Sequence, residues 1–165
     1  MKRATVSAAQ ILDSALKLAD TCGWERLHLF DVAADLGVGL DAIAVHYREK
    51  DQLVEAWFDR ADQALLARGT GADLLGLEPA KRLEELLIAW LDSLAVHRAV
   101  SGQMLLYKLE PGHIHLQIGG LLRISRTVQW WREAAQRETL HLRRIAEESL
   151  LTGVYLRCFI HWLRH

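Results

Sequence analysis

Several groups of side chains in this 165-residue chain have types and spacings that invite chemistry. His97, His113 and His115 are the candidate metal ligands. Two histidines separated by one residue suit a strand better than a loop, and no Cys or carboxylate cluster accompanies them, so no metal site is expected. Cys22 and Cys158 follow no metal or redox spacing and read as buried free thiols in a reducing compartment. Arg123, Arg126, Arg132, Arg137, Arg143 and Arg144 fall within 22 residues, interrupted only by the acids Glu133 and Glu138. Such a cluster suits an anionic headgroup, an acidic partner or a membrane surface. The simpler reading, preferred here, is a solvated helix face, with Glu147 and Glu148 one turn on from Arg143 and Arg144. Trp90, Tyr107, Trp130, Trp131, Tyr155 and Phe159 are candidates for an apolar ligand pocket, against the alternative of core packing plus a dimer seam. There is no Gly-rich phosphate loop and no nucleophile elbow, so neither catalysis nor a cofactor is expected.

The stretch Leu29 to Leu53, LFDVAADLGVGLDAIAVHYREKDQL, carries a different chemistry. Two short apolar-periodic segments flank Gly37-Val38, and a longer helix follows Lys50. Helix, Gly-containing turn and helix make a helix-turn-helix, whose second helix enters the DNA major groove. The candidate DNA-facing residues are Gly39, Leu40, Asp41, Ala44, Val45 and His46, with Lys50 as a phosphate clamp. Lys2, Arg3 and the helix N-termini are further phosphate candidates.

These residues must be held by helices. An opening helix from about Ser7 to Cys22 has Ile11, Leu12, Ala15, Leu18 and Ala19 on one stripe, Ser7 as N-cap and Gly23 after its end. The pattern then predicts helices over Leu29 to Leu36, Leu40 to His46 and Asp51 to Arg68, with Tyr47 plugging the three-helix core. Residues 69–79 read as a loop, and Pro79 suits a helix start. Further helices are predicted over Pro79 to Arg98, Val100 to Leu109, Leu116 to Gln136 and Leu140 to Leu163, with a turn at Glu110-Pro111-Gly112. The second half of the last helix is apolar nearly all round, so it must be covered on all sides. Its own core supplies one cover and a second chain the other, with Val154, Cys158 and Trp162 as interface candidates.

The expected class is all-α: a head over residues 1–50 and a helical bundle body over residues 51–165. Residues 1–60 hold seven Lys/Arg against ten Asp/Glu, whereas residues 61–165 hold thirteen against eleven. A DNA-binding head is normally the basic part. No apolar run approaches the roughly 20 residues that span a bilayer, and no signal peptide opens the chain, so a cytoplasmic location is expected.

Gln10 to Leu53 resembles the TetR family of bacterial regulators, through Gly23, Val32-Ala33, Gly37-Val38, Ile43, His46-Tyr47, Lys50 and Leu53 in order. The resemblance implies a three-helix DNA-binding head, a helical ligand-binding body and a homodimer made from the last helices. The family usually has polar residues where Gly39, Leu40 and Ala42 stand, Tyr at Ala44, and a polar residue at Phe30. A second resemblance lies in Glu148 to Leu163, through Leu150, Gly153-Val154-Tyr155 and Trp162-Leu163, preceded by Ser125-Arg126-Thr127 and Trp130-Trp131. That stretch is similar to the TetR-like lipid-binding proteins of ubiquinone biosynthesis, which bind an isoprenoid rather than DNA. Two readings therefore stand side by side. One is a regulator that binds duplex DNA as a homodimer and answers to an apolar small molecule or lipid. The other is a lipid-binding protein on the same fold that has lost DNA binding.

Overall fold

The computed structural model describes residues 6–110, 112, 114–138 and 141–165. Among these the structure is all-α, with nine α-helices and one 3-10 turn. Helix α1 (Ala8–Cys22) is started by a reciprocal cap: Gln10 N–H donates to the Ser7 hydroxyl at 3.2 Å, and Ser7 N–H donates to Gln10 Oε1 at 2.9 Å. Gly23 ends it at φ 85°, where a side chain would be strained. Helix α2 (Leu29–Asp35) begins where His28 N–H donates to the Asp31 carboxylate. It ends at Gly37, φ 63°, and Val38 N–H reaches back to the Ala33 carbonyl at 3.0 Å. That left-handed turn aims α3 (Leu40–Ala44) across α2.

Ile11, Leu16, Val32, Ile43, Trp24 and Leu27 are buried against one another and make the core of the head. Tyr47 closes it, its hydroxyl donating to the Ala8 carbonyl at 3.1 Å. Helix α4 (Lys50–Gly69) then runs along α6 (Pro79–Leu94) and α8 (Ile114–Ala134). At its end Gly69 lies so close to Ala134 that a Cβ would meet the Ala134 methyl at 3.1 Å.

Residues 69–79, expected as loop, contain a short helix, α5 (Ala72–Leu75). Leu74 is fully buried, and Asp73 takes a two-pronged bond from Arg68 at 2.9 and 3.2 Å, which fixes the turn. The helix predicted to reach Arg98 stops at Leu94; a 3-10 turn (Ala95–His97) leads into α7 (Arg98–Lys108). Helix α9 (His141–Arg164) follows α8.

The body core is aromatic. Trp90 meets Phe58, Tyr155 and Phe159 at ring distances of 6.0, 5.2 and 5.3 Å, so α6, α4 and α9 converge there. Every indole N–H of Trp57, Trp90 and Trp131 has a partner: the Ser101 hydroxyl, the Asp62 carboxylate and the Leu83 carbonyl. Among the described residues no helix is long and apolar enough to cross a membrane.

Candidate functional site

The head presents one exposed face at α3. Gly39, Leu40, Asp41, Ala44, Val45 and His46 all lie on it, while Ile43 between them is buried in the head core. The face is apolar: Leu40 is 52% exposed and Val45 78%, and Phe30 at the start of α2 is 56% exposed and stacked on His28 at 4.9 Å. A Cβ on Gly39 would meet the Asp41 carboxylate, so Asp41 leans over the N-terminus of α3. His46 Nε2 lies 2.9 Å from the Val6 carbonyl and ties the segment before α1 to the end of α3. Lys2 and Arg3 lie outside the described residues.

Lys50 does not project from this face. Its ammonium donates to the carbonyls of Trp24 and Glu25, at 2.5 and 3.1 Å, and lies over the Trp24 ring at 5.0 Å. Burial holds its pKa below the usual lysine range. Arg48, four residues after the end of α3, is different. It is exposed, and its guanidinium has no hydrogen bond or ion pair among the described residues. Arg48 is not among the residues singled out from the sequence, where nothing distinguishes its exposure from that of Lys50.

The second concentration of polarity is on α4. Asp51, Glu55, Asp59 and Asp62 recur at helical spacing and share one face. Lys108, at the end of α7, bonds Glu55 at 2.8 Å and also pairs with Asp51. Arg123 on α8 pairs with Asp59 and Asp62, and Arg126 lies 3.5 Å from Glu55 and 3.7 Å from Asp59. Asp62 is the hub: 3% exposed, it also accepts from Trp90 Nε1 and Thr127 Oγ1, both at 2.9 Å. Burial alone would push Lys108 down, but its bonds to Asp51 and Glu55 outweigh that and raise its pKa. Tyr155, packed on the same core, is pushed well above the usual tyrosine range by burial.

The arginine cluster is a solvated face only in part: Arg126, Arg143 and Arg144 are exposed, and Arg144 pairs with Glu148 at 2.9 Å as the spacing implies. Arg123 and Arg132 are buried, and Arg132 pairs with Glu147 at 3.4 Å and Glu148 at 2.9 Å, with Arg137 on Glu147 at 2.6 Å. These arginines fasten α8 to α4 and α9, and nothing in a linear sequence distinguishes such inward cations from outward ones. The thiols of Cys22 and Cys158 are free but half-buried rather than buried. His97 is not turned toward a metal: its Nδ1 lies 2.6 Å from Asp20 Oδ2 and links the 3-10 turn to α1. His113 lies outside the described residues, and among those described no group of three or more His, Cys, Asp or Glu could hold a metal.

The six candidate pocket aromatics separate. Tyr155 and Phe159 line a cavity of about 160 Å³ between α4, α7, α8 and α9, with Phe58, Leu105, Leu121 and Ile124. Trp90 and Trp131 are buried and line no part of it; Trp90 supports the ring cluster from behind. Tyr107 lies instead in a cleft of about 590 Å³ between the head segment 22–26 and α7, across from Trp24. Trp130 is exposed on α8. Of the interface candidates, Val154 is exposed, and Cys158 and Trp162 are half-buried. Trp162 stacks on Phe159 at 6.0 Å and accepts the Arg98 guanidinium over its ring at 5.7 Å.

No protein-family model and no curated protein matches the chain. Solved structures do. A TetR transcriptional regulator from Nitrosomonas europaea is 48% identical over 95% of this chain and 85% of its own, with a TM-score of 0.84. The TetR family transcriptional regulator PfmR from Thermus thermophilus is 19% identical over 93% of this chain and 84% of its own, TM-score 0.58. A TetR-family structure from a Shewanella species is 19% identical over 96% and 86%, TM-score 0.55. At that identity the last two speak for the fold alone.

Proposed function

The chain belongs to the TetR family of transcriptional regulators, and from that membership we propose that it binds duplex DNA as a homodimer through the exposed face of α3. The observation that carries the reading is the combination of 48% identity to a TetR regulator across nearly the whole chain with an intact, outward-facing helix-turn-helix. The lipid-binding alternative has no comparable support.

In this reading residues 1–50 are the DNA-binding head and residues 51–165 the ligand-binding and dimerisation body. Leu40, Ala44 and Val45 meet thymine methyl groups in the major groove, and Asp41 accepts from a cytosine amino group. Arg48 contacts a phosphate beside the groove, the role that Lys50 gives up by bonding to the head's own carbonyls. Exposed apolar residues on α8 and α9, among them Ile118, Leu122, Leu150 and Val154, supply the second-chain contact. The two recognition helices then read half-sites about 34–36 Å apart. The function is regulatory and not catalytic, in the cytoplasm, where the DNA is.

Binding of the protein to a random-sequence duplex, followed by fluorescence anisotropy, tests this. The expected result is weak binding at about 20 mM salt that falls steeply as salt is raised. No binding at low salt would falsify the reading, and sedimentation showing only monomer at micromolar concentration would remove the dimer.

A further inference from the structure

Two histidines stand at the end of α9, His161 in its last turn and His165 just after it. Side chains four residues apart on a helix share one face, one above the other. Both residues are exposed, and their rings stack with centroids 4.3 Å apart and planes 26° from parallel. His165 Nδ1 lies 3.1 Å from the His161 carbonyl. A carbonyl can only accept, so Nδ1 carries the proton, and the neutral ring keeps its lone pair on Nε2. A metal-bound histidine has the same arrangement: its second nitrogen donates to a backbone carbonyl, which fixes tautomer and ring orientation. The ring nitrogens of His161 have no hydrogen bond or ion pair among the described residues. With small rotations, two imidazoles centred 4.3 Å apart can each bring a nitrogen to about 2.0–2.1 Å from one ion.

The surroundings decide which ion suits the pair. The two rings share a groove of about 530 Å³ with Arg157, Cys158, Ile160 and Arg164. No carboxylate lines it, so it offers nothing to magnesium or calcium, which need oxygen ligands. Imidazole suits nickel, copper and zinc. Arg157 and Arg164 oppose any cation, but both are exposed and their repulsion is screened. The last carbonyls of α9, the negative end of the helix dipole, act the other way. Among the described residues no group of three or more His, Cys, Asp or Glu could hold a metal, so Cys158, one turn before His161, is not a third ligand.

We propose that His161 and His165 form a two-histidine chelate for one divalent transition-metal ion of the nickel, copper or zinc kind, with water in the remaining positions. The chelate spans one helical turn and so clamps the end of α9, where Trp162 packs on Phe159 and under Arg98. It uses no residue assigned to DNA and stands independently of the regulator reading.

The test is titration of nickel(II) into the full chain, free of any histidine tag, by isothermal calorimetry. Saturable binding of one ion per chain in the micromolar range is expected, with cobalt(II) weaker than nickel(II) and magnesium not bound. His161→Gln and His165→Gln, both at exposed positions, should each weaken nickel binding at least about tenfold. Cys158→Ser and His115→Gln should leave it unchanged. Only the helix holds the two rings in register, so nickel at about 100 times its dissociation constant should raise the unfolding midpoint by roughly 5–10 °C. His161→Gln should remove that rise. No saturable binding at millimolar nickel, or undiminished binding in both histidine variants, overturns the proposal. So does magnesium binding as tight as nickel binding. Nickel binding with no change in midpoint also overturns it, because the unfolded chain then holds the ion as well as the helix does.

Discussion

The exposed face of α3 and the acidic stripe of α4 are adjacent in the chain and opposite in their use of polarity. On α3 the outward residues are Leu40, Ala44 and Val45, with Asp41 drawn over the helix start. On α4 Asp51, Glu55 and Asp62 turn inward and Asp59 stands at the exposed edge, and three basic side chains from α7 and α8 meet them. This explains why the first 60 residues carry more acids than bases without forming a strongly anionic surface. Asp51, Glu55 and Asp59 are counted with the first 60 residues, yet their charge is neutralised by cations from the second part of the chain. The surface proposed to face DNA is thus closer to neutral than the linear count implies, and in that proposal recognition leans on shape and methyl contacts more than on charge.

The largest effect should come from cutting the stripe at its hub. Asp62→Ala leaves Arg123 buried with one carboxylate fewer and strips Trp90 Nε1 and Thr127 Oγ1 of their acceptor. Removing one partner of a buried pair costs about 3–5 kcal/mol. In a chain of this size each kcal/mol lowers the midpoint by about 2–4 °C, so calorimetry should show a fall of roughly 10 °C. Val45→Ala on the α3 face should change stability by less than about 0.5 kcal/mol, since that side chain is 78% exposed. Equal effects of the two substitutions would erase the contrast between the regions.

The next effect is on binding and should appear only on the α3 side. Val45→Glu places a carboxylate in the groove and should weaken duplex affinity at least about tenfold, with the unfolding midpoint unchanged. Arg48→Ala should weaken binding to all sequences alike and reduce the slope of log affinity against log salt by about one. Lys50→Ala should leave that slope unchanged, because its ammonium is spent on Trp24 and Glu25. A reduced slope for Lys50→Ala with none for Arg48→Ala would exchange the two assignments.

Much of this architecture is legible in residue order. Gly23 and Gly37 mark the helix ends because each adopts a positive φ, and the apolar spacing of Ile11, Val32, Ile43 and Leu53 finds the head core. The family was legible from the same positions. The destination of long polar side chains was not. Arg123 and Arg132 read as solvent-facing, and Lys50 as a phosphate contact, because charge in a sequence carries no direction. One signal was available: Asp51, Glu55, Asp59 and Asp62 repeat on one helix face with no cation on that same face, which calls for basic partners from elsewhere in the fold. Trp90 and Trp131 illustrate the other limit, since an aromatic at helical spacing suits a core and a pocket wall equally, and only packing separates them.

The smallest effect compares two lysines, one from each region. Lys108 is lowered by burial but raised more by its bonds to Asp51 and Glu55, so its folded pKa lies above its unfolded value. Its contribution to stability is complete below the unfolded lysine value of about 10.4 and is lost as pH rises through the folded pKa. Tyr155, raised by burial, acts in the same direction from about pH 10 upward. Lys50 has the opposite sign. Burial lowers its folded pKa, so the folded state sheds that proton first, and stability rises with pH between the folded value and about 10.4. In denaturant titrations across the alkaline range, Lys108→Met should flatten the loss of stability, whereas Lys50→Met should steepen the profile below about pH 10.4 by removing a rising contribution. The shape of the profile, and not the absolute stability of either variant, carries the comparison, because each substitution also removes hydrogen bonds. Profiles of identical shape would mean that the carbonyl-bound lysine of the head and the carboxylate-bound lysine of the body sit in equivalent electrostatic surroundings, which their partners contradict.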